Sequence, residues 1–88
     1  MKRKEYENAI VLYSQAIALQ PCAAFYGNRA AALSNARRFE EAVDDCNSAL
    51  LLDPSYTKAY TRLSSALHEL GRHTEAESAE IKVSTWRF

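Results

Sequence analysis

The 88 residues suffice for one small domain with a modest core, and 48% hydrophobic against 25% charged residues excludes a disordered chain. Eleven Lys and Arg balance eleven Asp and Glu, so no basic excess draws the chain to nucleic acid or anionic lipid. No apolar run is long enough to cross a bilayer, no secretory apolar stretch follows the basic start, and two cysteines are too few for a disulfide framework, which together fit a reducing, cytoplasmic setting.

Apolar residues recur at three and four spacing throughout, without strand-like alternation, and predict an all-α chain of five helices. The first runs from about Glu5 to Leu19 and stops at Pro21. The second, about Ala23 to Asn35, carries Tyr26, Ala30 and Leu33 on one face. The third, about Phe39 to Leu52, carries Ala42, Val43, Cys46 and Ala49 and ends before Pro54. Cys46 reads as a small core residue rather than a reactive thiol. The fourth, about Tyr56 to Leu70, packs through Tyr60, Leu63, Ala66 and Leu67, and Gly71 supplies its C-terminal turn. The fifth starts near His73 and runs towards the end.

These helices repeat one pattern. Tyr26, Asn28, Leu33 and Ala42 precede Tyr60, Arg62, Leu67 and Ala76 by 34 residues, and Tyr6, Ala9, Ala16 and Pro21 precede Phe39, Ala42, Ala49 and Pro54 by 33. A period of 34 with aromatic, small and proline positions in register is the signature of the tetratricopeptide repeat, a stack of helical hairpins forming an α-α superhelix. The chain divides into the second half of a first repeat (1–22), a second repeat (23–55) and a third with a degenerate end (56–88). Ala9, Ala16, Ala30, Ala42, Ala49 and Ala76 are expected where neighbouring helices come close. At the degenerate end Glu80 stands where earlier copies have Tyr13 and Cys46, so the last helix is either a cap or is covered by Trp86 and Phe88.

The inner face is then predictable. On the second helix the stripe is Ala24, Gly27, Asn28, Ala31 and Asn35, and on the fourth it is Lys58, Thr61, Arg62, Ser65 and Glu69. Lys58 and Arg62 are four apart and point the same way, while Asn28 and Arg62 occupy equivalent positions on successive inner helices. An asparagine, a lysine and an arginine amid small residues suit an anionic group, naturally a carboxylate. Asn28, Lys58, Arg62, Ala31 and Ser65 are the candidate peptide-binding residues.

The segments Asn28-Arg29-Ala30-Ala31-Ala32 and Asp53-Pro54-Ser55-Tyr56-Thr57-Lys58-Ala59-Tyr60-Thr61-Arg62 resemble the carboxylate-clamp tetratricopeptide domains of co-chaperones, most closely over residues 26–76. The resemblance implies an adaptor whose groove grips the C-terminal Glu-Glu-Val-Asp tail of cytosolic heat-shock chaperones. Asn28, Lys58 and Arg62 match three of the family's five clamp residues; the other two, a lysine and an asparagine, come from an inner helix that this chain does not contain. The alternative is a truncated structural array that self-associates through its bare first helix, with a vestigial clamp.

No glycine-rich phosphate loop, catalytic pairing or metal-ligand cluster is legible, so no enzyme, cofactor or metal is expected. His68 and His73 are five apart across a helix break and read as surface histidines. Arg37 and Arg38 read as solvated turn residues. Tyr6, Tyr13, Tyr26 and Tyr60 read as core at helical spacing.

Overall fold

Few residues in this chain oppose helix, and three of its four breaks hold a proline or a glycine: Pro21, Pro54 and Gly71. The computed structural model describes residues 2–86, with side chains through Lys82. It contains five helices: α1 (Lys2–Leu19), α2 (Ala23–Asn35), α3 (Phe39–Leu52), α4 (Thr57–Glu69) and α5 (His73–Trp86). The bounds of α2 and α3 are those expected. α1 begins earlier than Glu5, because Lys and Arg are good helix formers and nothing among them ends the run. α4 begins one residue late, since Tyr56 is extended (φ −75°, ψ 90°) and serves as its N-cap.

Each helix packs on the next, and α2 also meets α4 directly. This is the order of a stack of hairpins, α2–α3 on α4–α5, with α1 beneath. No helix among the described residues is long and apolar enough to cross a membrane.

The two hairpin turns are copies of each other. After α2, Arg38 N–H donates to the Leu33 carbonyl (2.8 Å) and Arg37 N–H to Ser34 (3.0 Å); after α4, Arg72 and Gly71 make the same bonds to Leu67 and His68 (2.8 and 3.0 Å). Both closures require a left-handed residue. Gly71 meets this at φ 78° without strain, and Arg37 meets it at φ 64° against its own β-carbon. Arg38 and Arg72 do more than face solvent. Arg38 reaches Glu7 of α1 (2.9 Å) and Glu41 of α3 (2.6 Å), and Arg72 likewise joins Glu40 and Glu75. Each arginine laces two outer helices at the same point of the repeat.

The core is built from small residues. Ala30, Ala42, Ala49 and Ala76 are fully buried, as are Ala59 and Ala66, and Ile10, Leu33, Val43 and Leu67 fill the space between them. Alanine at these points lets helix axes approach closely. Ala9 and Ala16 are only half-buried, because no helix covers the outer side of α1. For the same reason Val11 and Leu12 stay exposed. The four tyrosines are half-buried, and Tyr6 packs against the core; Tyr60 turns its hydroxyl out to donate to the Pro54 carbonyl (3.1 Å). Cys46 is fully buried, and burial pushes its thiol up to about 12, the behaviour of an inert core thiol.

One buried polar contact crosses three helices. Arg29 of α2 donates from Nε and Nη2 to both carboxylate oxygens of Asp45 on α3 (2.6 and 2.7 Å) and from Nη1 to Ser14 on α1 (3.0 Å). Asp45 is 5% exposed, so the pair is largely withdrawn from water and its two-pronged geometry is what makes that tolerable.

At the far end, Glu80 accepts from His68 Nε2 and Ser64 Oγ (both 2.8 Å), and His68 Nδ1 contacts His73 Nδ1 (2.7 Å). The histidines are exposed yet not free in solvent: a polar network occupies the face that Cys46 keeps apolar one repeat earlier. Coverage of this end by Trp86 and Phe88 lies outside the described residues. The bond from His68, then that from Ser64, holds the Glu80 carboxyl below its ordinary value. A depressed carboxylate stabilises the fold above its unfolded pKa, and that contribution is lost as pH falls through the folded value. Carbon-detected NMR titration is expected to find the Glu80 carboxyl below its ordinary value, and His68→Ala is expected to raise it.

Candidate functional site

The repeat offset becomes geometry where α2 meets α4. Asn28 and Arg62, equivalent in sequence, face each other across the two inner helices: Arg62 Nη1 donates to Asn28 Oδ1 at 3.5 Å, the outer limit for such a bond. Both side chains are half-buried. So long a bond is easily exchanged for a shorter one to an anion. Lys58, one turn before Arg62 on α4, is exposed and makes no ion pair among the described residues. Two cationic groups one turn apart on α4 thus stand near one amide of α2, and among the described residues no carboxylate pairs with either.

Gly27 explains how the helices come this close, and it is not the open groove residue its stripe implies. It is buried, and a β-carbon added to it lies 2.8 Å from Tyr56 Cε2, 3.1 Å from Tyr56 Oη and 3.2 Å from Arg62 Nη1. Tyr56, absent from the predicted site, thus lies over Gly27 and flanks the Arg62 guanidinium. Its signal was a glycine inside a helix, which costs about 1 kcal/mol relative to alanine and asks for a reason. The obstructing atoms are the far ends of two side chains, so Gly27→Ala is expected to leave thermal stability within a few degrees. It displaces Arg62 from Asn28, however, and is expected to weaken binding of an anionic peptide roughly tenfold, the size of one charge-assisted bond. Paired thermal melts and peptide titrations check this.

The remaining predicted residues divide. Ala31, one turn past Asn28 on α2, is half-buried and small, leaving room above the helix backbone. Ser65 is exposed, and with Thr61, Ser64, His68 and Glu80 it lines a crevice towards α5. It lies towards α5, apart from the Asn28–Arg62 pair. Among the described residues no group of three His, Cys, Asp or Glu is placed to hold a metal ion.

Comparison with known proteins agrees with this architecture. Family models described as tetratricopeptide repeat match residues 23–56 and 57–82. Small glutamine-rich tetratricopeptide repeat-containing protein 2 of Saccharomyces cerevisiae is 44% identical over 84 residues, covering 94% of this chain and 24% of the yeast protein. The chain thus spans about a quarter of the length of that relative. Among solved structures, the second TPR of Spaghetti (RPAP3) bound to the HSP90 peptide SRMEEVD is similar with a TM-score of 0.89 and 39% identity, over 92% of this chain and 76% of that one. The TPR2B domain of yeast Sti1, in complex with an Hsp70 peptide, has a TM-score of 0.91 and 33% identity, over 94% and 67%.

Proposed function

Because the chain belongs to the tetratricopeptide repeat family, we propose that it is a co-chaperone-type adaptor that holds the acidic C-terminal tail of heat-shock chaperones and performs no chemistry of its own. The observation that carries this reading is the Asn28–Arg62 pair beside an unpaired Lys58. Arg62 and Lys58 supply charge-assisted donors to a terminal carboxylate, and the Asn28 amide supplies a neutral one. Ala31 leaves space for the peptide backbone, and Ser65 offers a hydroxyl at the groove's edge. The HSP90 and HSP70 peptides held by the similar domains end in Glu-Glu-Val-Asp, which supports an acidic tail as the ligand class. We take the repeats to be 1–22, 23–55 and 56–88 of one domain, working in the cytoplasm, where Cys22 and Cys46 remain free thiols.

The test is a titration of the isotope-labelled chain with a peptide ending in Glu-Glu-Val-Asp, read by NMR. The Asn28 side-chain amide, Arg62 Nε–H and the backbone of α2 and α4 are expected to shift and saturate together. Shifts confined to α1, or none at all, contradict the proposal. Exposed Val11 and Leu12 on α1 favour a second reading, assembly through that helix; sedimentation of the same sample as a concentration-independent monomer rules against it.

A further inference from the structure

Two crevices on the outer side of the stack occupy equivalent places. The first lies between α1 and α3 over α2 and is lined by Ile10, Ser14, Arg29, Leu33, Arg38 and Glu41. The second lies between α3 and α5 over α4, where Val43, Asn47, Leu63, Leu67, Arg72 and Glu75 stand at the same register positions. One pair distinguishes them. Arg29 and Asp45 plug the first, and their counterparts 34 residues on are Leu63 and Ala79. With no guanidinium or carboxylate to fill it, the second crevice opens to about 360 Å³, against about 260 Å³ for the first. That volume falls in the range of small-molecule sites.

Its floor is apolar: Val43 and Leu67 are buried, Leu63 is half-buried, and Ala79 is 5% exposed. Its mouth is polar and asymmetric. Arg72 is already neutralised by Glu75 and Glu40. Lys82 on α5 and Asn47 on α3 are exposed and, among the described residues, engage no ion pair or side-chain hydrogen bond. An open crevice with an apolar floor, whose rim holds one cation and one amide unpaired among the described residues, suits an apolar body that ends in a single negative charge.

We propose that this cavity binds a medium-chain monocarboxylate, its tail on Val43, Leu63, Leu67 and Ala79 and its carboxylate at Lys82 Nζ and the Asn47 amide. The site lies on the face of α4 opposite Lys58 and Arg62, and its occupancy does not depend on the adaptor reading. Each methylene taken out of water tightens binding up to about fourfold until the chamber is full, so affinity rises from hexanoate to decanoate. The rim pair is exposed, and Lys82→Met weakens decanoate only about two- to fivefold.

The deciding experiment titrates the full chain with decanoate below its micelle concentration and follows methyl NMR signals. The expected result is saturable shifts in the methyls of Val43, Leu63 and Leu67. The paired change Leu63→Arg with Ala79→Asp copies the plug of the first crevice and abolishes them. The chain-length series provides the test should that variant fail to fold: affinity is expected to rise from hexanoate to decanoate. Arg62→Ala leaves decanoate binding unchanged. Shifts that never saturate, that centre on the exposed Leu51 and Leu52, or that survive in the plugged and folded variant overturn the proposal, as does an affinity that stays flat from hexanoate to decanoate.

Discussion

Arg62→Ala weakens binding of a Glu-Glu-Val-Asp peptide by about ten- to a hundredfold, and Lys58→Ala does the same, while both variants stay folded. The magnitude follows from hydrogen bonds to charged groups, about 1.5–3 kcal/mol each, at about 1.4 kcal/mol per tenfold. The contrast with stability follows from placement. Lys58 is exposed and holds nothing in the fold, so its removal leaves the melting temperature unchanged. Arg62 rests against Gly27 and, among the described residues, makes one long bond, to Asn28, so its loss shifts the melt by a few degrees at most. Arg62→Lys separates charge from geometry: it keeps the cation but loses the planar donor fork, and is expected to recover only part of the affinity. Isothermal titration beside thermal melts reads both quantities on one sample.

The largest loss of stability is expected from Asp45→Ala. It leaves the Arg29 guanidinium, its side chain 22% exposed, without the carboxylate that satisfies two of its donors. Breaking a buried pair costs about 3–5 kcal/mol, and the partial exposure of Arg29 brings the expectation to about 2–3 kcal/mol. In a domain of this size that is a fall in Tm of roughly 10–20 °C. Removing both charges through Arg29→Leu with Asp45→Ala reproduces the arrangement one repeat on. It is expected to return part of the loss: no guanidinium is left unpaired, though the smaller apolar pair leaves a wider crevice. Chemical denaturation of the two single variants and the double variant reads the coupling directly. Equal losses in Asp45→Ala and the double variant contradict this account.

Much of the architecture was legible because it is written locally. Pro21, Pro54 and Gly71 mark breaks that need no knowledge of the packing, and the 33- and 34-residue offsets align Asn28 with Arg62 before any helix is placed. Helix periodicity alone set Lys58 beside Arg62. What stayed hidden depends on how helices cross. Gly27 reads as one more small groove residue until α4 brings Tyr56 onto it. Nothing in the sequence singles out Asp45 until α2 presents Arg29 from 16 residues away. Arg38 reads as a solvated turn residue until α1 lies beside α3. Ala9 and Ala16 share the alanine pattern, yet burial requires a second helix, and α1 has one on a single side. The crevice between α3 and α5 was hidden for a related reason: it is defined by what Leu63 and Ala79 lack relative to Arg29 and Asp45.

The central claim is that Asn28, Lys58 and Arg62 together form a seat for a terminal carboxylate. Fluorescence anisotropy of a labelled Glu-Glu-Val-Asp-ending peptide, measured beside the same peptide with an amidated C-terminus, addresses it most directly. Amidation removes one negative charge and leaves every side chain in place. Saturable binding of the free acid with at least a tenfold loss on amidation is the predicted result. Equal affinity for both peptides, or no binding by a folded sample, contradicts it.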